Sequence, residues 1–186
     1  MGRPKLLLPW GKTSILGQLL ERWREAGARQ IAVVCAVGDS GIRTELARLR
    51  VPGADIIENP APELGMFSSV RCGVRWNGWA SGISHWVIVL GDQPHLRQET
   101  LTGLLGFAAQ NSGQICQPAY HGRPAHPVIL PQALFQAVAT TKACTLKEFL
   151  ATARVCRFVS DDAGLELDID RPEDYMRALA LAGLAS

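Results

Sequence analysis

The chain has 186 residues, 47% of them hydrophobic, with 19 basic against 17 acidic side chains and a formal charge of +2. That length supports one substantial core, the scattered basic residues argue against nucleic acid or an anionic membrane as partner, and no apolar run reaches the roughly 18 residues of a membrane span. Five cysteines, odd in number and without a C-x-x-C pair, read as reduced thiols of a cytoplasmic protein, with Cys35 and Cys72 as small core residues.

The elements alternate between strands and helices from the start. The opening segment places Arg3 and Lys5 on a loop stiffened by Pro4, where Arg3 can fork onto phosphate oxygens and Lys5 can act as a point charge beside them. Standing alone, it would also read as an ordinary basic terminus. A helix is predicted over 14–25, a strand over 31–36, a helix over 40–50 and a strand over 56–57. Next come Asn59-Pro60 and Gly65-Met66-Phe67-Ser68-Ser69, at a strand end and at the start of a helix over 68–76. Free amides at such a helix start attract anions, and Asn59, Ser68 and Ser69 can hydrogen-bond a base, sugar or phosphate. A serine that merely caps the helix is the plainer alternative.

Residues 86–90 form an unbroken apolar run that reads as an inner strand of a parallel sheet covered on both faces, ended by Gly91-Asp92-Gln93-Pro94. Ligands of open α/β sheets bind beyond the carboxyl ends of strands, so Asp92 is expected in that crevice, with Gly91 letting a ligand approach. A plain turn aspartate is the competing reading. A helix over 99–109 follows, then strands at 115–117 and 128–130 joined through the turn signal His121-Gly122-Arg123-Pro124, which makes the sheet mixed. A helix over 146–152, a strand over 155–159 and a helix over 172–181 complete the series, without internal repeat or linker.

Residues 165–170 alternate strictly, placing Glu166, Asp168 and Asp170 on one face. Two aspartates on one face can hold a divalent cation. Because Asp170-Arg171-Pro172-Glu173 resembles a capping box, Asp168 is the better ligand, and Asp92 with Asp168 matches magnesium's habit of taking one or two carboxylates plus substrate phosphates. No zinc spacing, nucleophile elbow or P-loop is present.

Taken in order, the opening Gly2-Arg3-Pro4-Lys5-Leu6-Leu7-Leu8-Pro9, the segment Asn59-Pro60 with Gly65-Met66-Phe67-Ser68-Ser69, Leu90-Gly91-Asp92-Gln93-Pro94, Gly122-Arg123-Pro124-Ala125-His126-Pro127 and Asp168-Ile169-Asp170-Arg171-Pro172-Glu173-Asp174 resemble the molybdenum cofactor cytidylyltransferases, the MocA-like nucleotidyltransferases. The resemblance spans nearly the whole chain. It implies a single α/β domain over 1–186 with a Rossmann-like nucleotidyltransferase fold, a mostly parallel mixed sheet and helices on both faces. It implies transfer of CMP from CTP to molybdopterin-type molybdenum cofactor, Mg2+ as cofactor, and a molybdenum hydroxylase as client. A related enzyme using GTP or a sugar or alcohol phosphate, and a non-catalytic cofactor-insertion protein, stand as alternatives. Carried over by residue, Arg3 and Lys5 fall in the triphosphate loop, Asn59, Gly65, Ser68 and Ser69 in the nucleotide segment, Asp92 on the magnesium aspartate, and Asp168 and Asp170 in the second acidic motif. His126 falls in the segment facing the pterin, or simply closes the hairpin.

Two departures from the resemblance carry expectations. The family ordinarily has a buried strand and an L-A-A-G-x-S-x-R type loop ahead of the motif where this chain has Met1, and without them neighbouring strands lose ladder bonds of roughly 0.5–1.5 kcal/mol each. A marginal or rearranged sheet is expected from the residues given. Thr140-Thr141-Lys142-Ala143-Cys144-Thr145 stands where a G-D-x-G-A-R type loop is frequent, and Ala125 where glycine is frequent, which weakens and narrows the acceptor end.

Overall fold

The computed structural model describes residues 4–185. After Pro4, a 3-10 turn over Lys5–Leu7 leads into the small hairpin of β1 (Pro9–Trp10) and β2 (Thr13–Ser14). Ser14 then ends the extended chain by capping α1 (Ile15–Glu25), its Oγ accepting the Gly17 N–H at 3.0 Å. Buried Ile15, Leu16, Leu19, Leu20 and Trp23 recur at helical spacing and give α1 one apolar face. A β-α-β unit follows: β3 (Val33–Ala36), α2 (Ser40–Arg48) capped by Asp39, and β4 (Ile56–Asn59) parallel to β3, with Val33 opposite Ile56. Next, α3 (Met66–Arg75) leads to β5 (His85–Ile88).

The second half is built around one strand. After α4 (Gln98–Gln110), β6 (Ile115–Tyr120) turns through His121 and Gly122, both at positive φ, into β7 (Arg123–Pro124), the geometry of a primed hairpin turn. β8 (Val128–Pro131) pairs antiparallel with β5 and β6, and after α5 (Gln132–Ala137) and α6 (Leu146–Ala151), β9 (Val155–Val159) pairs parallel with β6. α7 (Pro172–Leu181) closes the molecule against Trp10 and Ile15. Ile115, Cys116, Val128, Ile129 and Leu130 are wholly buried. Among the described residues parallel pairing is confined to β3 with β4 and β6 with β9. The fold is thus a mixed α/β one, with sheets flanked by helices.

The run over 86–90 departs from its expected place. β5 stops at Ile88, Val89 is exposed, and among the described residues β5 pairs only with antiparallel β8, so it is not an inner strand of a parallel sheet. Its unbroken hydrophobicity has another cause: Trp86 and Ile88 pack toward Phe67, Val70 and Phe135, while Val87 packs toward Leu101 and Leu104 on the opposite face. Helices cover both faces; the missing partner is at the edge. Between β5 and the β3–β4 pair lies an apolar cleft of about 550 Å3, lined by Val33 and Val34 on one side, Val87 and Ile88 on the other, with Leu20 and Val70 from the helices.

Residues 165–170 also differ from expectation in form but not in pattern. A 3-10 turn over Ala163–Glu166 is followed by extended chain that joins no sheet, yet Leu165, Leu167 and Ile169 are buried and Glu166, Asp168 and Asp170 face outward. Asp170 does not cap α7. Pro172 begins that helix, Arg171 precedes it, and Asp174 rather than Glu173 accepts the Arg171 N–H at 3.0 Å.

No described helix is long and apolar enough to cross a membrane. The cysteines are free: Cys116 and Cys156 lie opposite each other on β6 and β9, burial pushes the Cys116 thiol up to about 11, and Cys144 is exposed.

Candidate active site

Three segments meet beyond the end of β5. Leu6 packs so tightly on Gly91 that a Cβ at that glycine would stand 2.7 Å from the leucine Cδ2. Gly91 therefore leaves room for Leu6, not for a ligand as the sequence suggested. This packing seats Lys5 beside Asp92. The Lys5 Nζ donates to Asp92 Oδ2 at 2.8 Å and to Asp170 Oδ1 at 3.0 Å, so two carboxylates distant in sequence face each other across one ammonium. Burial works against the Lys5 charge, but the hydrogen bonds and charges of Asp92 and Asp170 outweigh it and raise its pKa. The Ile169 N–H donates to the Asp92 carbonyl at 3.2 Å and fixes the acidic segment against the strand end.

Asp92 Oδ1 is buried and has no hydrogen-bond partner among the described residues. Leaving a buried carboxylate oxygen unsatisfied is costly, so a cation or donor is called for at this atom. Asp168 sits nearby, its pKa raised by burial and then by the charges of Asp92 and Asp170, against the pull of Gln93 and His126. Crowded carboxylates of this kind suit a divalent cation. Among the described residues no group of three His, Cys, Asp or Glu side chains converges tightly enough to hold an ion alone. A magnesium-type site, completed by phosphate oxygens and water, needs only one or two carboxylates. The partner that Lys5 brings to Asp92 is Asp170, released from the capping role that sequence reasoning gave it. Asp168 instead accepts a 2.9 Å hydrogen bond from Gln93 Nε2.

Gln93 went unassigned in the sequence, although it is only 6% exposed and orients Asp168. Its place between an acid and a proline was the available signal. Asp162 had no such signal: buried, it accepts from the Gly164 N–H, the Arg97 N–H and the Thr100 hydroxyl, tying the turn before Asp168 to the chain after Asp92. His95 lies alongside, its ring bonded to the Gly164 carbonyl at 3.0 Å and its pKa lowered chiefly by burial. His126 is near Asp92 and Asp168, with its pKa lowered by burial and Nδ1 buried without a partner among the described residues.

The segment around α3 borders the same cleft, to which Leu6, Gly91, Met66 and Ser69 all contribute. Asn59 is fully enclosed, donating to Ser68 Oγ at 2.8 Å and Ser69 Oγ at 2.9 Å and accepting the Ala61 N–H at 2.9 Å. It holds the two serines in place. Ser68 does not cap α3, since its hydroxyl returns to the Gly65 carbonyl at 2.7 Å. Gly65, at φ +83° with open space where a Cβ would be, stands before the uncapped amino end of the helix. Arg3 lies outside the described residues.

An α/β fold with an acid cluster and a lysine beyond one strand end, and an uncapped helix whose first turn borders the neighbouring cleft, is the frame of a nucleotidyltransferase-type enzyme domain. The chain belongs to the MobA-like NTP transferase domain family, whose pattern it matches over residues 1–156. It is 25% identical over 179 residues to the molybdenum cofactor cytidylyltransferase of Escherichia coli K12, covering 96% of this chain and 88% of the relative. Among solved structures, Rv0371c from Mycobacterium tuberculosis H37Rv superposes with a TM-score of 0.77 at 25% identity, over 97% of this chain and 90% of that one. The same protein in complex with manganese gives 0.73 at 26% identity, over 96% and 93%.

Proposed function

We propose that this enzyme transfers CMP from CTP to a molybdopterin-type cofactor with Mg2+, releasing pyrophosphate. The observation that carries the reading is the buried Asp92 Oδ1, without a hydrogen-bond partner among the described residues, set beside Lys5, Asp168 and Asp170. Asp92, with Asp170 and Asp168, would hold the ion, which when bound polarises the phosphoryl oxygens and offsets their charge. Lys5, with Arg3, binds the triphosphate and receives the negative charge of the departing pyrophosphate. The uncapped start of α3 after Gly65, with Ser69 set by Asn59 and Ser68, offers donors to the nucleotide. His126 faces the acceptor. An acceptor phosphate oxygen attacks the α-phosphorus in line, and rate comes from positioning and charge neutralisation. A molybdenum hydroxylase would receive the product. The reading takes 1–186 as one domain.

The similarity to a named cytidylyltransferase supports CTP over other nucleotides. Incubation with molybdopterin cofactor, Mg2+ and each nucleoside triphosphate in turn, followed by product analysis, tests the reading. CMP transfer should predominate, and Asp92→Ala should cost about 10²–10³-fold in rate, as removal of other electrostatic stabilisers does. Near-native turnover by that variant removes Asp92 from the site.

A further inference from the structure

The Lys5 ammonium stands where a cation between Asp92 and Asp170 would stand. Its nitrogen is within 2.8 Å of one carboxylate and 3.0 Å of the other, close enough to occupy the space that a second positive ion would need. The lysine is not a loose surface charge that happens to drift there. Leu6 is wedged on Gly91 and Leu7 packs against the buried cluster that α1 and α2 build from Leu16, Leu20, Ile42 and Leu46, so the backbone carrying Lys5 is fixed beside the acids while its head remains about one-third exposed and able to swing.

We propose that Lys5 is a built-in counter-ion that keeps a divalent cation off the Asp92–Asp170 pair until a polyphosphate draws the ammonium away. The proposal rests on the reading that these acids take a metal. Two positive ions cannot share the two carboxylates at these distances without strong mutual repulsion. A metal arriving alone must displace Lys5 and leave its charge without a partner in a partly buried site. A triphosphate removes that obstacle, since its oxygens accept the ammonium and add ligands to the ion. Metal and nucleotide therefore load together, and because binding free energies are reciprocal, each raises the affinity of the site for the other. Lys5 thus has two jobs at different times: it guards the acids in the free protein and grips phosphate in the loaded one.

The test is a calorimetric titration of Mn2+ alone, without nucleotide, into wild type, Lys5→Met and Lys5→Arg, each first checked by circular dichroism for a native melt. Lys5→Met should bind Mn2+ about tenfold or more tightly than wild type, and Lys5→Arg, which keeps the charge, should stay weak like wild type. Equal affinity in wild type and Lys5→Met, or tighter binding by Lys5→Arg than by Lys5→Met, overturns the proposal while leaving the metal reading in place. If no form binds Mn2+ even with CTP present, the metal reading falls and takes the proposal with it.

Discussion

The two halves of the molecule are equally apolar in sequence but unequally built. Around β6, every strand edge that matters is paired, and Ile115, Cys116, Val128, Ile129 and Leu130 have no exposure. Around β3 and β5, strands of the same composition leave Val33, Val34, Val87 and Ile88 lining a cleft, each of them only half-buried. Hydrophobic side chains are present in both places. What differs is whether the backbone between them has ladder partners, and the lesson is that apolar content alone does not close a core.

Filling the cleft should have the largest effect. Extending the chain ahead of Met1 by a strand of five or six apolar residues joined by a short small-residue loop should stabilise the protein by several kcal/mol, at about 0.5–1.5 kcal/mol per new ladder bond plus the apolar burial. At about 2–4 °C per kcal/mol, the melting temperature should rise by about 10 °C or more, with a blue shift in fluorescence from Trp23, Trp79 and Trp86 at the cleft. An unchanged melt would show that the cleft is not a strand site.

A pair of truncations sharpens the same contrast. Ile129→Ala, in the paired half, should cost about 2–5 kcal/mol by chemical denaturation. Val34→Ala, beside the cleft, should cost much less, because its side chain already borders open space. Equal losses would mean that the cleft closes in solution.

The next effect concerns the acid cluster. Gln93→Ala removes the hydrogen bond that orients Asp168 and should lower the transfer rate by about tenfold, comparable to other supporting-shell losses, while leaving the fold intact. Loss confined to the melting temperature would make Gln93 structural only.

The smallest effect is a pH slope. His95 and His126 both have pKa values lowered by burial, so the unfolded chain binds more protons than the folded one as the pH falls below about 6.5. Their contribution is complete above that pH and is lost as the pH drops further. Asp168, raised, has the opposite sign: it costs stability near neutrality, and protonation relieves it only nearer the carboxylate range. Thermal melts between pH 7.5 and 5 should therefore decline, and His95→Gln should flatten the decline.

Much of this was legible from residue patterns, for reasons that also explain the misses. Helices with local start signals, such as α1 capped by Ser14 and α7 opening on Pro172, fell within a residue or two of expectation, although the cap of α7 was misassigned to Asp170. Alternation over 165–170 correctly gave the faces of Asp168 and Asp170 even though no strand forms, since burial on one side imposes period two on any extended chain. The pairing of β5 was misjudged because an apolar run reports helices above and below a strand and says nothing of its edges. Lys5 between Asp92 and Asp170 was likewise hidden, since it depends on Leu6 meeting Gly91 across nearly half of the sequence. Asp162 illustrates the general limit: its three hydrogen bonds reach back more than sixty residues for two of their donors.

The free thiols offer a practical consequence. Cys116, enclosed and shifted to about 11, is protected from alkylating reagents at neutral pH, and Cys35 is buried with its pKa likewise raised. Cys144 is exposed on the segment whose carbonyls at Thr141 and Ala143 are gripped by Arg71 of α3. A maleimide dye should therefore attach there first, giving a reporter tied to α3 through Arg71 without any engineered residue.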